Sequence, residues 1–188
     1  MKHERKDFLI AGFVMTTALW GSQVLADPND QHLQQRGDVA TGLVKEVLEA
    51  TERFRDASIA ESEDYGPFLG CVSGPQEGAM GVHYVNGALV GDGILEAAQP
   101  EILVYEPGKN GGLRLVAVEY IVIAEAWDAS NATPPALSGQ VFHYSGSPNR
   151  YGLPPFYALH VWAWKDNPHG MFVDWNPDVT CENYAPAL

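Results

Sequence analysis

Leu113–Ala124 reads LRLVAVEYIVIA. Apolar side chains fill both alternating faces for most of its length, the pattern of a central strand covered on both sides. Glu119 breaks it, mid-strand, on the face of Leu115, Ala117 and Ile121. A carboxylate there needs a partner, because an unpaired buried charge costs several kcal/mol. Arg114, Arg150 and Lys165 offer a structural ion pair; a metal ion is the other way to satisfy it.

Reading outward, Ile102–Glu106 is a second strand, joined to the first through Pro107-Gly108-Lys109-Asn110-Gly111-Gly112 in hairpin fashion. The glycine- and proline-rich stretch from Gly66 to Gly93 disfavours long regular elements. It allows a short strand over Met80–Val85, where His83 points to the face opposite Tyr84. Towards the C-terminus, Gln140–Tyr144 reads as a short strand and Ser145–Pro155 as a loop. In Phe156–Trp164 the residues Phe156, Ala158, His160, Trp162 and Trp164 share one face. Asn167–Gly170 turns the chain, and Met171–Trp175 is expected to return as a further short strand. Towards the N-terminus, Val39, Leu43, Val44, Val47, Leu48, Thr51 and Phe54 recur at three- and four-residue steps. That periodicity predicts an amphipathic helix capped by Asp38 and continuing towards Glu61. One helix followed by strands at hairpin spacing predicts an α+β domain. Its expected form is the N-terminal helix packed on a strongly curved antiparallel sheet, an NTF2-like cone in outline; a small cupin-like β-barrel is the alternative.

Residues 1–26 read as a secretory signal peptide. Lys2, Arg5 and Lys6 precede the apolar run Phe8–Leu19, and Val24-Leu25-Ala26 forms a small-residue cleavage site. The expected product is exported, periplasmic or extracellular, with no stable membrane insertion after signal removal. Residues 27–36 form a polar, flexible segment and 37–188 a single domain. Cys71 and Cys181, with no CxxC spacing, are expected to pair as a disulfide in an oxidising compartment. The net charge of −13, more negative still without the basic leader, repels phosphate backbones and anionic lipid surfaces. Nucleic-acid partners are therefore disfavoured, whereas a small molecule or metal ion is compatible. Oligomeric state is not encoded in any recognisable pattern.

The strings GAMGVHYVNGALVGDG (78–93), PEILVYEP (100–107), LRLVAVEY (113–120), GSPNRYGLPPFYALHVWAW (146–164) and NPHGMFVDWNP (167–177) resemble those of a group of uncharacterised bacterial exported proteins. The resemblance covers most of the chain from Cys71 onward. It implies export and a single domain, and no site residues come with it.

GxSxG, HExxH, P-loop, dinucleotide-binding and EF-hand motifs are all missing from the sequence. What remains is a set of polar residues in apolar strands: His83, Glu119 and His160, followed by Glu106, His143 and His169. Imidazole nitrogen and carboxylate oxygen suit one divalent transition metal such as Zn, Mn, Fe or Cu. His83, Glu119 and His160 are the expected ligands, each near the middle of a strand whose curvature would bring them together. Tyr84, Tyr120 and Trp162 are the expected pocket residues, with either Tyr84 or Tyr120 as the proton donor. The competing reading is a non-catalytic small-ligand module with an aromatic pocket and no cofactor, its histidines merely satisfied by backbone. On that reading Glu106 is a solvated strand end and His169 an exposed turn residue.

Overall fold

A computed structural model describes residues 28–185, with side chains from residue 39 onward. The leader read over residues 1–26 lies outside them. Chain order is α1 (Pro28–Thr51), a 3-10 turn (Glu52–Arg55), α2 (Ala57–Ser62), β1 (Tyr65–Ser73), β2 (Ala79–Asn86), α3 (Gly87–Asp92), β3 (Ile102–Pro107) and β4 (Leu113–Ile123). Then come α4 (Ala124–Asp128), β5 (Ala136–Leu137), β6 (Gln140–Val141), β7 (His143–Ser145) and β8 (Phe156–Val161). The fold is α+β. Six strands form one antiparallel sheet in the order β1-β2-β3-β4-β8-β7, and β5 pairs with β6 apart from it. β1 and β7 end the sheet without pairing to each other, so it is open.

Leu43, Val47 and Thr51, four residues apart, bury one stripe of α1 against the sheet. On the sheet side this core takes Tyr84, Leu103, Tyr105, Val118, Tyr120, Val122, Leu159 and Val161. Trp164 locks the helix in place, its indole N–H donating to the Thr51 hydroxyl at 3.0 Å. The other face of the sheet carries a second cluster, including Ile102, Val104, Ala117, Ile121, Phe156, Ala158 and Trp162. Both faces of β4 are thus covered, as its sequence requires.

Five local readings change. The helix begins at Pro28 rather than Asp38, and takes in the segment expected to be flexible. Proline is suited to a first helical turn, where its missing N–H costs nothing, and Gln and Leu residues sustain the turns beyond it. The strand β1 runs through Gly66-Pro67 because it lies at the sheet edge, where a residue without an N–H is tolerated. A bulge at Leu69 (φ 63°) and Gly70 (φ 70°) breaks its register between Phe68 and Cys71. A second bulge opposite Tyr105 turns Leu115 to the helix side, away from the face of Ala117 and Glu119. Finally, β8 stops at Val161, which places Trp164 on the helix side. Met171–Trp175 returns without forming a strand, held by Trp162 N–H donating to the Met171 carbonyl at 3.0 Å.

Asn176 fastens this returning segment. It is fully buried, its backbone pairs with Ala79, its side-chain amide donates to the Asp166 carbonyl, and its Oδ1 accepts from Asp178 N. A Cβ on Gly78 would meet the Asn176 carbonyl at 2.1 Å, so only glycine permits the approach. Asn176→Ala removes both hydrogen bonds of a fully buried side chain and is expected to cost about 1–3 kcal/mol in urea unfolding. A loss below a few tenths of a kcal/mol would mean that the tail is held elsewhere. Cys71 and Cys181 are joined in a disulfide that ties the end of the same tail to β1.

Candidate metal centre

Strand register brings the three polar residues together. Glu119 of β4 faces His160 of β8 as a direct cross-strand pair. His83 lies on β2, opposite Val104 of β3, and reaches Glu119 across β3. His83 is 6 % exposed, Glu119 8 % and His160 1 %. His83 Nε2 stands 3.5 Å from Glu119 Oε2, and His160 Nδ1 stands 3.5 Å from Glu119 Oε1. One ligand atom from each of the three lies within 4.8 Å of the others. Two donors bound tetrahedrally at about 2.1 Å are about 3.4 Å apart, so both measured separations suit a shared ion.

The hydrogen bonding around the trio fits the same purpose. His83 Nδ1 donates to the Gly81 carbonyl at 3.2 Å, which leaves the lone pair on Nε2, the nitrogen facing Glu119. Gly81 takes φ 121°, and a Cβ there would meet the Tyr105 carbonyl at 2.5 Å; glycine is required for the carbonyl to sit where it orients the ring. Among the described residues neither ring nitrogen of His160 has a hydrogen-bond partner, although both are buried. Buried polar atoms are nearly always satisfied, and an orphaned imidazole pair beside a carboxylate is an exception that needs a cause. His160 also stacks on Trp162, with ring centres 6.1 Å apart, and meets His83 edge-on at 5.9 Å.

The cations that sequence allows for Glu119 are engaged elsewhere. Lys165 donates to both oxygens of Glu106, at 3.1 and 3.0 Å, and Arg114 pairs with Glu106 as well. Arg150 donates to the Ser73 carbonyl. Glu106 is therefore a buried, saturated ion-pair hub rather than a solvated strand end. Among the described residues Glu119 has only histidines beside it. Burial, with the nearby Asp174 and Glu101 charges adding to it, pushes its carboxyl up to about 8. Burial likewise lowers His83 to about 4 and holds His160 well below the ordinary imidazole range. Neutral imidazoles are the form that binds metal.

Asp174, absent from the sequence-derived ligand set, arrives from the returning tail. Its Oδ1 lies 3.8 Å from His160 Nδ1 and 3.6 Å from His143 Nδ1. No periodicity marks it, because it sits in irregular chain whose course is set by Asn176. His143 is exposed at the same edge, and His169 is exposed in its turn, with no contact to the trio. Tyr84 and Tyr120 do not join the site. Each is adjacent in a strand to a site residue and so points through the sheet to the helix side. There their hydroxyls donate to Glu61 Oε1 and the Ala97 carbonyl. Trp162 is on the correct face, but buried as packing: its indole donates to the Val173 carbonyl at 2.6 Å.

Beside the trio lies a cavity of about 150 Å³. His83, Glu119, His143 and Asp174 border it, and its other walls are mainly apolar. The arrangement thus has an accessible side, as a catalytic or exchangeable metal position requires.

The shifted groups set the pH response of the chelator-treated protein. Glu119 and Glu101, both raised to about 8, keep protons in the native state that the unfolded chain has released above its ordinary carboxylate range. His83, lowered to about 4, and His160 act oppositely below about pH 6.5, where the unfolded imidazoles are protonated. The two effects oppose each other between about pH 4.5 and 6.5. From about pH 6.5 to 8 only the glutamates act, so stability is expected to fall, on the order of 2 kcal/mol. Urea titrations in chelator at the two ends of that interval measure it; stability rising across it contradicts the assignment.

No family model matches the chain, and neither a curated protein nor a solved structure does.

Proposed function

We propose that the protein is an exported metalloprotein that binds one divalent transition metal through His83 Nε2, a Glu119 oxygen and His160 Nδ1. The observation that carries this reading is the fully buried His160 ring, both nitrogens unpaired among the described residues, 3.5 Å from a buried carboxylate that no described Lys or Arg pairs with. Two imidazoles and one carboxylate form a set used for zinc in hydrolytic sites and for non-haem iron, with positions left open. Bound there, the ion would polarise a coordinated water or oxygen donor. The chain's own residues do the rest: Gly81 orients His83, Trp162 holds the plane of His160, and Asp174 stands where it can accept a proton from the open side. Export is supported by the Cys71–Cys181 disulfide and by the resemblance to exported bacterial proteins. No described helix is long and apolar enough to cross a membrane. In outline the open sheet favours an NTF2-like cone over a closed cupin-like barrel.

Elemental analysis of the purified, dialysed protein tests the proposal. One equivalent of transition metal is expected in the wild type and none in Glu119→Gln. Metal content that is unchanged by Glu119→Gln, or that never approaches one equivalent after loading, overturns it.

A further inference from the structure

The cavity beside the trio is built asymmetrically. Its ionisable side chains His83, Glu119, His143 and Asp174 lie together at the metal site. Apart from Ser145 and the tyrosines Tyr144 and Tyr151, the other walls are hydrocarbon, from residues such as Val72, Met80, Ile121 and Phe156. Around it Phe68, Leu69 and Tyr144 are exposed large apolar side chains, 42 %, 47 % and 60 % exposed. The first two are carried by the β1 bulge, whose left-handed Leu69 and Gly70 interrupt the edge strand there. Exposed apolar side chains gathered round an apolar cavity mark an entrance that prefers non-polar molecules.

Size and charge narrow the ligand. A dry hydrocarbon cavity of about 150 Å³ is known to accommodate benzene in another protein, so about 150 Å³ here sets the scale at one six-membered ring. A divalent ion beside Glu119 and Asp174 would be close to neutral as a group, and the chain as a whole carries −13. That field disfavours anions at the mouth. Resting on the metal reading above, we infer that the cavity takes an uncharged, ring-sized, largely apolar molecule whose single donor atom faces the His83–Glu119–His160 metal.

Pyridine, a neutral ring with one donor atom, and benzoate, a similar ring with a charged head, test this by calorimetric titration of the zinc-loaded and chelator-treated protein. Pyridine is expected to bind the zinc-loaded form at least tenfold more tightly than benzoate does. It is also expected to bind that form at least tenfold more tightly than the chelated form. Ala158→Leu and, separately, Val85→Phe enlarge side chains on different walls of the cavity and leave the three ligand residues unchanged. Each is expected to weaken pyridine binding tenfold or more while zinc content stays at one equivalent; Val85, only half-buried, provides the variant with the smaller folding cost. Zinc bound without preference for pyridine, or pyridine binding indifferent to both substitutions, overturns the inference and leaves the metal centre standing. A wild type that takes up no zinc overturns both.

Discussion

Metal-saturated protein is expected to melt about 10 °C above chelator-treated protein, and His160→Ala is expected to shrink that gap to a few degrees or less. An ion that binds only the native state stabilises it by about 4 kcal/mol when free metal stands a thousandfold above Kd. For a domain of this size each kcal/mol moves the midpoint by about 2–4 °C. In the proposed site His160 supplies one of three ligands from a fully buried position, stacked on Trp162 and opposite Glu119 across the sheet. Its loss should weaken metal binding by about a hundredfold or more, the upper range seen even for groups that only support ligands. The chelated variant is the informative control. Deleting a buried ring leaves a void, which for a large core side chain costs about 3 kcal/mol or more. Here the deletion also removes two buried nitrogens that have no partner, and each such group carries a desolvation penalty of about 1–3 kcal/mol. Chelated His160→Ala should therefore melt close to chelated wild type. Calorimetry of both proteins in metal and in chelator checks this. A gap undiminished in the variant places the ion elsewhere.

The second large effect is expected from the disulfide. Cys71 and Cys181 are 110 residues apart, and a crosslink over that length removes loop-closure entropy worth about 4–5 kcal/mol in the chain-entropy model. Reduction, or the double Cys71→Ser, Cys181→Ser change, should lower the melting midpoint by about 10–15 °C. The structure adds a consequence for the metal. The bridge anchors the tail that carries Asp174 beside His160 and presents the Val173 carbonyl to Trp162. Metal affinity should fall on reduction while the trio remains chemically intact. Melts and metal titrations with a non-coordinating phosphine reductant measure both; midpoints that coincide with and without it would count against any structural role for the bridge.

The paired faces of β4 and β8 were legible because strand alternation is a local property. Glu119 and His160 each stand amid apolar neighbours at a period of two, so their burial on one face follows from the order of residues alone. The same rule argues against Tyr84 and Tyr120 as pocket residues, since each follows a site residue by one position. The bulge opposite Tyr105 was less accessible. It moves Leu115 to the helix side through a mismatch of two strands, and neither strand shows it by itself. Likewise the glycine-rich stretch before β2 concealed an edge strand, because tolerance of proline depends on which neighbour is missing.

By itself, then, the order of residues determined the amphipathic helix stripe, the doubly covered central strand, the lone pair of cysteines and the polar trio in greasy strands. All of these depend on neighbours within a few positions or on composition. Only the tertiary structure decided that His83 reaches Glu119 over an intervening strand, that Lys165 and Arg114 serve Glu106 instead, and that Asp174 comes in from the tail. Those outcomes are distances between residues far apart in the chain, set by sheet register and by the anchoring of Asn176 and Cys181. A carboxylate takes whichever partner the fold brings within reach, and here, among the described residues, the fold brings two neutral imidazoles and no Lys or Arg.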